Sequence, residues 1–358
     1  MINHSNDSIC NMQKNSLHTF DKNKLQDVVL MRFIVVVFLL FCHSFAIHTN
    51  SWKSPTGGEI IPAYFWLGKF VYSAMLETFV FISGYVLGLQ ISRGKFKYNL
   101  SFIAKKAKRL IIPALVFSIF WALLYYPYTT DTLLKIVRNI GVAHMWFLPM
   151  LFWCFVSTVI LKWFKVGFPL LLAFFFINFV SILNLPFGIS LFFKYAFFFY
   201  WGIYLFFVRE KVLQKMCKWK IAILIGLLYV SFFVISTVFL QSEWYECHVV
   251  DPKFGFVVAT TLRLIYSTLG VLFIYLLANK ILEKSQSVPF WIASVAEISF
   301  AIYIIHQFVL KAIYYYTPLP EYVSAYTLPW IGLFITATSS IIISKVILKT
   351  HIGRALIG

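Results

Sequence analysis

Long apolar runs alternate with short polar blocks along most of the chain. Runs of roughly 20 residues, the length a helix needs to cross a bilayer core, begin near Val28, Phe70, Leu110, His144, Phe168, Ser190, Ile221, Gly255, Trp291 and Leu328. Inside lipid no water reaches the backbone, so such runs are stable only as structures that bond their own peptide groups. The pattern predicts an all-α integral membrane protein of about ten transmembrane helices. It also predicts one membrane domain, residues 28–348, between short tails at 1–27 and 349–358. The polar first 27 residues hold no apolar stretch of the signal-peptide kind, so the first run is expected to remain as an anchor.

Composition removes the soluble alternative. Of 358 residues, 61% are hydrophobic and 12% charged, against about 25% charged in a soluble domain. Charge then sets an expected orientation. The chain carries 31 Lys and Arg against 13 Asp and Glu, a formal net charge of +18. These cations stand in blocks between apolar runs, the pattern of cytoplasmic loops facing anionic lipids rather than of a nucleic-acid surface. With the N-terminus inside, 22 of them fall in cytoplasmic segments. Five fall outside (Lys53, Lys69, Lys135, Arg138 and Lys253) and four within spans (Arg32, Lys194, Arg263 and Lys311). By the positive-inside rule both termini are expected in the cytoplasm, with the chain crossing the inner (plasma) membrane many times.

The outer segments differ in character. Residues 50–69 hold Gly57, Gly58 and two prolines and read as a loop of turns. Residues 241–253 set Glu243, Glu246 and Asp251 beside Trp244 and Tyr245. Such a mixture suits carbohydrate contact, and equally an interfacial aromatic belt. The five cysteines form no CxxC pair and read as isolated thiols.

An ionisable group at bilayer depth costs about 2.5–3.5 kcal/mol on insertion scales, which makes each one a functional candidate. Here they are Arg32 and His43 in the first run, Glu77 in the second, Arg263 in the eighth, and Glu297 and His306 in the ninth. His144 opens the fourth run and Lys194 lies early in the sixth. Arg32 and His43 are 11 residues apart, about three turns and roughly 16 Å of rise, so they share one helix face at different depths. The expected topology puts His43, His144 and His306 in the outer half, above Arg32. Each has a bland alternative: the histidines can simply bond neighbouring helices, Arg32 and Lys194 can snorkel, and Glu77 with Arg263 can form a structural ion pair. No HExxH, CxxC or carboxylate cluster suggests a metal, and no Walker or dinucleotide glycine pattern occurs. A neutral-pH base aligned with a deep cation suits acyl transfer, in which the base deprotonates a hydroxyl and the cation holds an anionic donor. A proton relay could use the same residues.

Four features together resemble the membrane acyltransferase-3 family, which includes O-acetyltransferases of bacterial surface polysaccharides. They are Arg32 and His43 spaced R-x10-H; Phe79-Val80-Phe81-Ile82-Ser83-Gly84-Tyr85, similar to the family's F-x-S-G-Y segment; the basic entry Lys105-Lys106-Ala107-Lys108-Arg109-Leu110-Ile111-Ile112-Pro113; and His144-Met145-Trp146-Phe147-Leu148 with Ile302-Tyr303-Ile304-Ile305-His306. Tyr200-Trp201-Gly202 resembles a further family helix. At the start Gln26-Asp27-Val28 departs from the family's usual Asp-small-Arg, which weakens a role for Asp27. The resemblance implies a cytoplasmic acyl-CoA donor, most often acetyl-CoA, and a hydroxyl acceptor on a cell-surface or lipid-linked glycan outside. It implies His43 as catalytic base and Arg32 in the donor pocket, with Lys105, Lys108 and Arg109 near the CoA phosphates and no metal. His144, Trp146, His306 and Glu77 are the expected acceptor-side residues. Ser83-Gly84 is read as a close-packing site. The competing expectation is a polysaccharide exporter, against which counts the lack of inverted repeats and of an obvious broken-helix pair.

Overall fold

The computed structural model describes residues 26–358 except 59, 97, 126–133, 135, 137, 139–140, 163, 165, 250 and 286. Cys10, most of the expected N-terminal tail, and Lys97, Lys135 and Lys165 of the charge count lie outside the described residues. Every described element is helical. The membrane elements are α1 (Gln26–Ser44), α2 (Pro62–Ser92), α3 (Leu100–Tyr125), α4 (Phe147–Ile160, entered by a 3-10 turn at Ala143–Trp146), α5 (Phe168–Ile177, continued as a 3-10 turn over Asn178–Ile182), α6 (Ile189–Met216), α7 (Trp219–Leu240), α8 (Pro252–Ser285), α9 (Phe290–Glu297), α10 (Ser299–Tyr315) and α11 (Leu328–Lys349). A final two-turn helix, α12 (His351–Ile357), occupies the expected C-terminal tail and buries Ile357.

Each of the ten expected runs forms a helix, but the ten are not alike. Among the described residues eight helices are long and apolar enough to cross, and α9 with α10 makes a ninth crossing bent by 72°. The fifth run yields only the short helix at Phe168–Ile182. It lies antiparallel to α6: Phe174 stacks on Tyr200 at 4.1 Å, and Asn178 Nδ2 donates to the Lys194 carbonyl (2.6 Å). The rest of that passage is irregular backbone. Trp153 Nε1 donates to the Phe187 carbonyl (2.8 Å), and Phe187 and Gly188 take positive φ before α6 begins. The bend between α9 and α10 makes one broken span among the described residues, not a pair of broken helices in corresponding halves. No proline or glycine marks the bend; Ile298 (φ −91°, ψ 13°) leaves helical geometry there.

Packing follows residue size. Gly84 on α2 lies against the Phe199 backbone of α6, and Gly202 on α6 against the Phe81 carbonyl, so a methyl at either would collide with the facing helix. Small residues let these two helices approach closely without a hydrophobic drive between them. The expected packing role for Gly84 is what the structure has. Gly94 ends α2 at φ +65°, with Gly94 N–H donating to Ile91 and Lys95 N–H to Gln90 (both 3.0 Å), a Schellman closure that needs a residue free of Cβ strain. The C-terminal end of α1 meets the start of α11 through Phe41 and Trp330 (5.6 Å), while Val36 and Leu40 share an apolar cluster with Leu333, Ala337 and Ile341 further along. α11 therefore runs antiparallel to α1, and the domain begins and ends at one face. Exposed Ile223, Leu224, Leu227 and Ile235 on α7 and Phe334 and Ile342 on α11 form the lipid-facing surface.

Candidate functional site

Two cavities lie end to end along α1. The larger one, at the C-terminal end of α1 and outer in the expected topology, is about 640 Å³ and is lined by Leu39 and His43 of α1, Trp52 and Lys53 of the following loop, Tyr72 of α2, Trp121 of α3, and His144, Trp146 and Phe147. From α10 it takes Tyr303, Gln307, Lys311 and Tyr315. The inner one, about 230 Å³, is lined by Arg32 of α1, Ser83 and Gln90 of α2, Lys106 and Arg109 of α3, Phe155 of α4, and Glu297 with Tyr303 at the α9–α10 bend. Arg32 and His43 thus line successive chambers from one helix face, as their spacing requires. Phe147 and Tyr303 line both, with rings 5.5 Å apart, and form the wall between them.

Three imidazoles cluster at the outer chamber, which His43 and His144 line and His306 does not. The His306 ring lies 5.0 Å from His43 and 5.2 Å from His144, centre to centre. His306 is fully buried behind the other two, and its Nδ1–H donates to the carbonyls of Ile302 (3.1 Å) and Tyr303 (2.7 Å). His144 Nε2–H donates to the Ile304 carbonyl (2.9 Å). Carbonyl partners place a proton on the bonded nitrogen of each ring, so a neutral ring keeps its lone pair on His306 Nε2 or His144 Nδ1, and neither buried atom has a hydrogen-bond partner among the described residues. An unsatisfied buried acceptor costs about 1–3 kcal/mol, so His144 Nδ1, on the residue that lines the chamber, favours a hydroxyl arriving there, while His306 lines neither cavity. His43, half-buried, touches Gln307 Nε2 (3.1–3.2 Å).

The local chain explains this aim. Ala143 takes φ +52°, left-handed for a residue with a Cβ, and the Val142 N–H is tied to Ser118 Oγ (3.0 Å). Backbone strain of this kind costs about 1–3 kcal/mol and persists where surroundings enforce it. Here it turns the chain so that His144 enters the chamber just before α4. The Tyr303 hydroxyl donates to the His144 carbonyl and locks that turn to α10.

Other expected site residues sit elsewhere. Glu77 is 4% exposed and lines neither cavity. Its carboxylate accepts from Arg263 Nη1 (2.8 Å), while Arg263 Nη2 donates to Asn178 Oδ1 (2.9 Å) and the Lys194 carbonyl (3.1 Å). This network clamps the short α5 passage to α2, α6 and α8, where its broken backbone needs partners. Lys105 and Lys108 are exposed beside the inner cavity without lining it. Arg109 lines it together with Lys106, whose ammonium lies 3.7 Å from the Phe155 ring centre. Asp27, buried at the inner end of α1, accepts from the Tyr85 hydroxyl (3.1 Å) and ties α1 to the Phe79–Tyr85 segment.

Gln307, Tyr303, Lys106 and Trp52 escaped the sequence reading. Gln307 and Tyr303 were legible in principle, as polar neighbours of His306 at i+1 and i−3. Trp52 falls on a loop whose path no pattern specifies. Among the described residues no group of three His, Cys, Asp or Glu is placed to hold a metal ion. Residues 25–349 match a family described as an acyltransferase domain, acyltransferase-3. No curated protein and no solved structure matches the chain.

Proposed function

The chain belongs to the acyltransferase-3 family of multi-pass membrane acyltransferases, and from that premise we propose that it moves an acyl group, acetyl first among the candidates, from acyl-CoA to a hydroxyl of a cell-surface or lipid-linked glycan. The observation that carries this reading is the pair of chambers meeting at one wall, a basic one below and a histidine-rich one above. Arg32, Lys106 and Arg109 suit the phosphates and thioester of an anionic donor entering from the side richest in Lys and Arg. That side is the cytoplasm under the positive-inside rule, in a cell's inner membrane. His43 is the base. It takes the proton of the acceptor hydroxyl while that oxygen attacks the thioester carbonyl carbon. The C–S bond breaks, CoA leaves as thiolate and is then protonated, and the acyl group stays on the sugar oxygen. The lone pair of His144 orients the hydroxyl, and Trp146 offers a face on which a sugar can stack. The thioester reaches His43 when the Phe147–Tyr303 contact opens.

The test is transfer of label from acetyl-CoA to added glycan by the protein in proteoliposomes, with CoA thiol release followed in parallel. Wild type is expected to release thiol and label the glycan, and His43→Ala to bind acetyl-CoA without doing either. A wild-type protein that binds and consumes no short-chain acyl-CoA would sink the reading and leave glycan export as its replacement.

A further inference from the structure

A base that takes a proton from a substrate hydroxyl also needs a partner that fixes its ring and steadies the charge it gains. Among the described residues lining the outer chamber there is no carboxylate to do this. What reaches the His43 ring instead is a carboxamide. Gln307 follows His306 on α10 and stands one turn from Tyr303 and one turn from Lys311, so all three line the chamber from one helix face. Gln307 is buried, and its Nε2 lies 3.2 Å from His43 Nδ1 and 3.1 Å from His43 Nε2. A buried amide needs hydrogen-bond partners, and the ring of the base supplies one. His306 is also near, 5.0 Å centre to centre, but its Nδ1–H is committed to carbonyls of α10 and its Nε2 bonds no described residue.

Resting on the acyl-transfer reading, we propose that Gln307 is the positioning residue of His43, its carboxamide oxygen accepting from the ring N–H during transfer. A neutral imidazole carries one N–H and one lone pair. An amide N–H facing that lone pair would occupy the electrons that the acceptor hydroxyl needs. Half a turn about the last side-chain bond of Gln307 exchanges Nε2 for Oε1, which are alike in shape and opposite in hydrogen-bonding character. With Oε1 facing the ring N–H, the lone pair on the other ring nitrogen is left to the acceptor. When His43 takes the hydroxyl proton, the same oxygen accepts from a charged imidazolium and bonds it more strongly. The proton stays on the ring until the CoA thiolate takes it.

Label transfer from acetyl-CoA to added glycan, by the full chain in proteoliposomes, tests this with Gln307→Leu, Gln307→Glu, His43→Ala and the double variant Gln307→Leu/His43→Ala. Leu keeps the approximate size and removes the acceptor oxygen, whereas Glu keeps an oxygen in its place. Gln307→Leu is expected to lower kcat by about tenfold or more, the loss of one charge-assisted hydrogen bond made in the transition state, with KM for acyl-CoA and for glycan little changed. Gln307→Glu is expected to retain several-fold more activity than Gln307→Leu. In the His43→Ala background Gln307→Leu is expected to cost nothing further, because a residue that acts only through the base has no effect once the base is gone. A structural or acceptor-binding role would still lower the residual transfer there. An additive loss in the double variant therefore overturns the inference, as does an effect of Gln307→Leu confined to KM, or Gln307→Glu no better than Leu. Gln307→Met, flexible and of similar length, repeats the cycle where Leu does not yield folded protein. The controls separate the two readings. Wild type that transfers nothing from any short-chain acyl-CoA removes the acyl-transfer reading and the inference with it, whereas wild-type transfer matched in full by Gln307→Leu removes the inference alone.

Discussion

The two chambers share α1, a wall and a direction, and differ in nearly everything else. The inner one is small, about 230 Å³, and presents Arg32, Lys106 and Arg109 against a single acid, Glu297. The outer one is nearly three times larger and presents aromatic rings and neutral imidazoles, with its two lysines towards the rim. Fixed cations bind an anion well but make poor bases, because guanidinium never releases its proton near neutral pH. Neutral imidazoles accept protons but hold phosphates weakly. Under the proposed function, separating these tasks by depth lets one side chain row on α1 serve both, with binding in the inner chamber and chemistry in the outer.

The largest effect is expected from His43. Replacing it with Ala should lower acyl transfer by about 10²–10⁴-fold, the usual contribution of a positioned base, while acyl-CoA affinity changes little. Single-turnover transfer and acyl-CoA binding, measured on one preparation, check this. A loss of affinity matching the loss of rate would place His43 in donor binding and erase the division of labour.

Glu77 breaks the comparison in another way, because its ion pair with Arg263 supports both chambers from outside either. Glu77→Ala leaves a buried guanidinium unpaired, and loss of one partner of such a pair costs about 3–5 kcal/mol of stability. A marked fall in the thermal unfolding midpoint in detergent is the expected result, with binding and transfer declining together. Selective loss of acceptor affinity at unchanged stability would return Glu77 to the acceptor site.

Arg32 should show the complement of His43. Arg32→Gln removes a charge-assisted contact of about 1.5–3 kcal/mol, so KM for acyl-CoA should rise by about tenfold or more with a smaller change in kcat. Unchanged KM with collapsed kcat would move Arg32 into the chemistry.

How much of this the sequence foretold varies by kind of feature. The 11-residue spacing of Arg32 and His43 sets both their shared face and their difference in depth, because helix geometry is local and periodic. Gly84 was legible as a packing residue for the same reason. The α9–α10 bend was not, since neither proline nor glycine marks Ile298, and the apolar stretch from Phe290 to Tyr315 reads as continuous. Nor was the shortness of α5: its missing turns are replaced by irregular backbone tied down by Asn178, Arg263 and Lys194, a tertiary network invisible to hydropathy. Lys105 and Lys108 belong to the same conspicuous block as Lys106 and Arg109. Only helix phase, together with the position of Phe155, decides which of the four face the cavity.

The smallest effect bears most directly on why two chambers exist at all. Phe147 and Tyr303 close the passage between them, and in the proposed reaction the wall would keep water of the outer chamber from a donor thioester below. Truncating the wall with Phe147→Ala removes edge contacts with Phe79 and Trp146 but should leave His43 and the cations of the inner chamber in place. What changes is coupling. Thiol release in the absence of acceptor should rise several-fold while transfer to glycan falls slightly, as expected when a site loses its means of excluding water. Tyr303→Phe keeps the ring and removes only the hydroxyl bond to the His144 carbonyl, so it should leave uncoupled release low and slow transfer modestly. If both variants behave alike, the wall acts through the position of His144 rather than as a barrier. The chambers would then be one site with two ends.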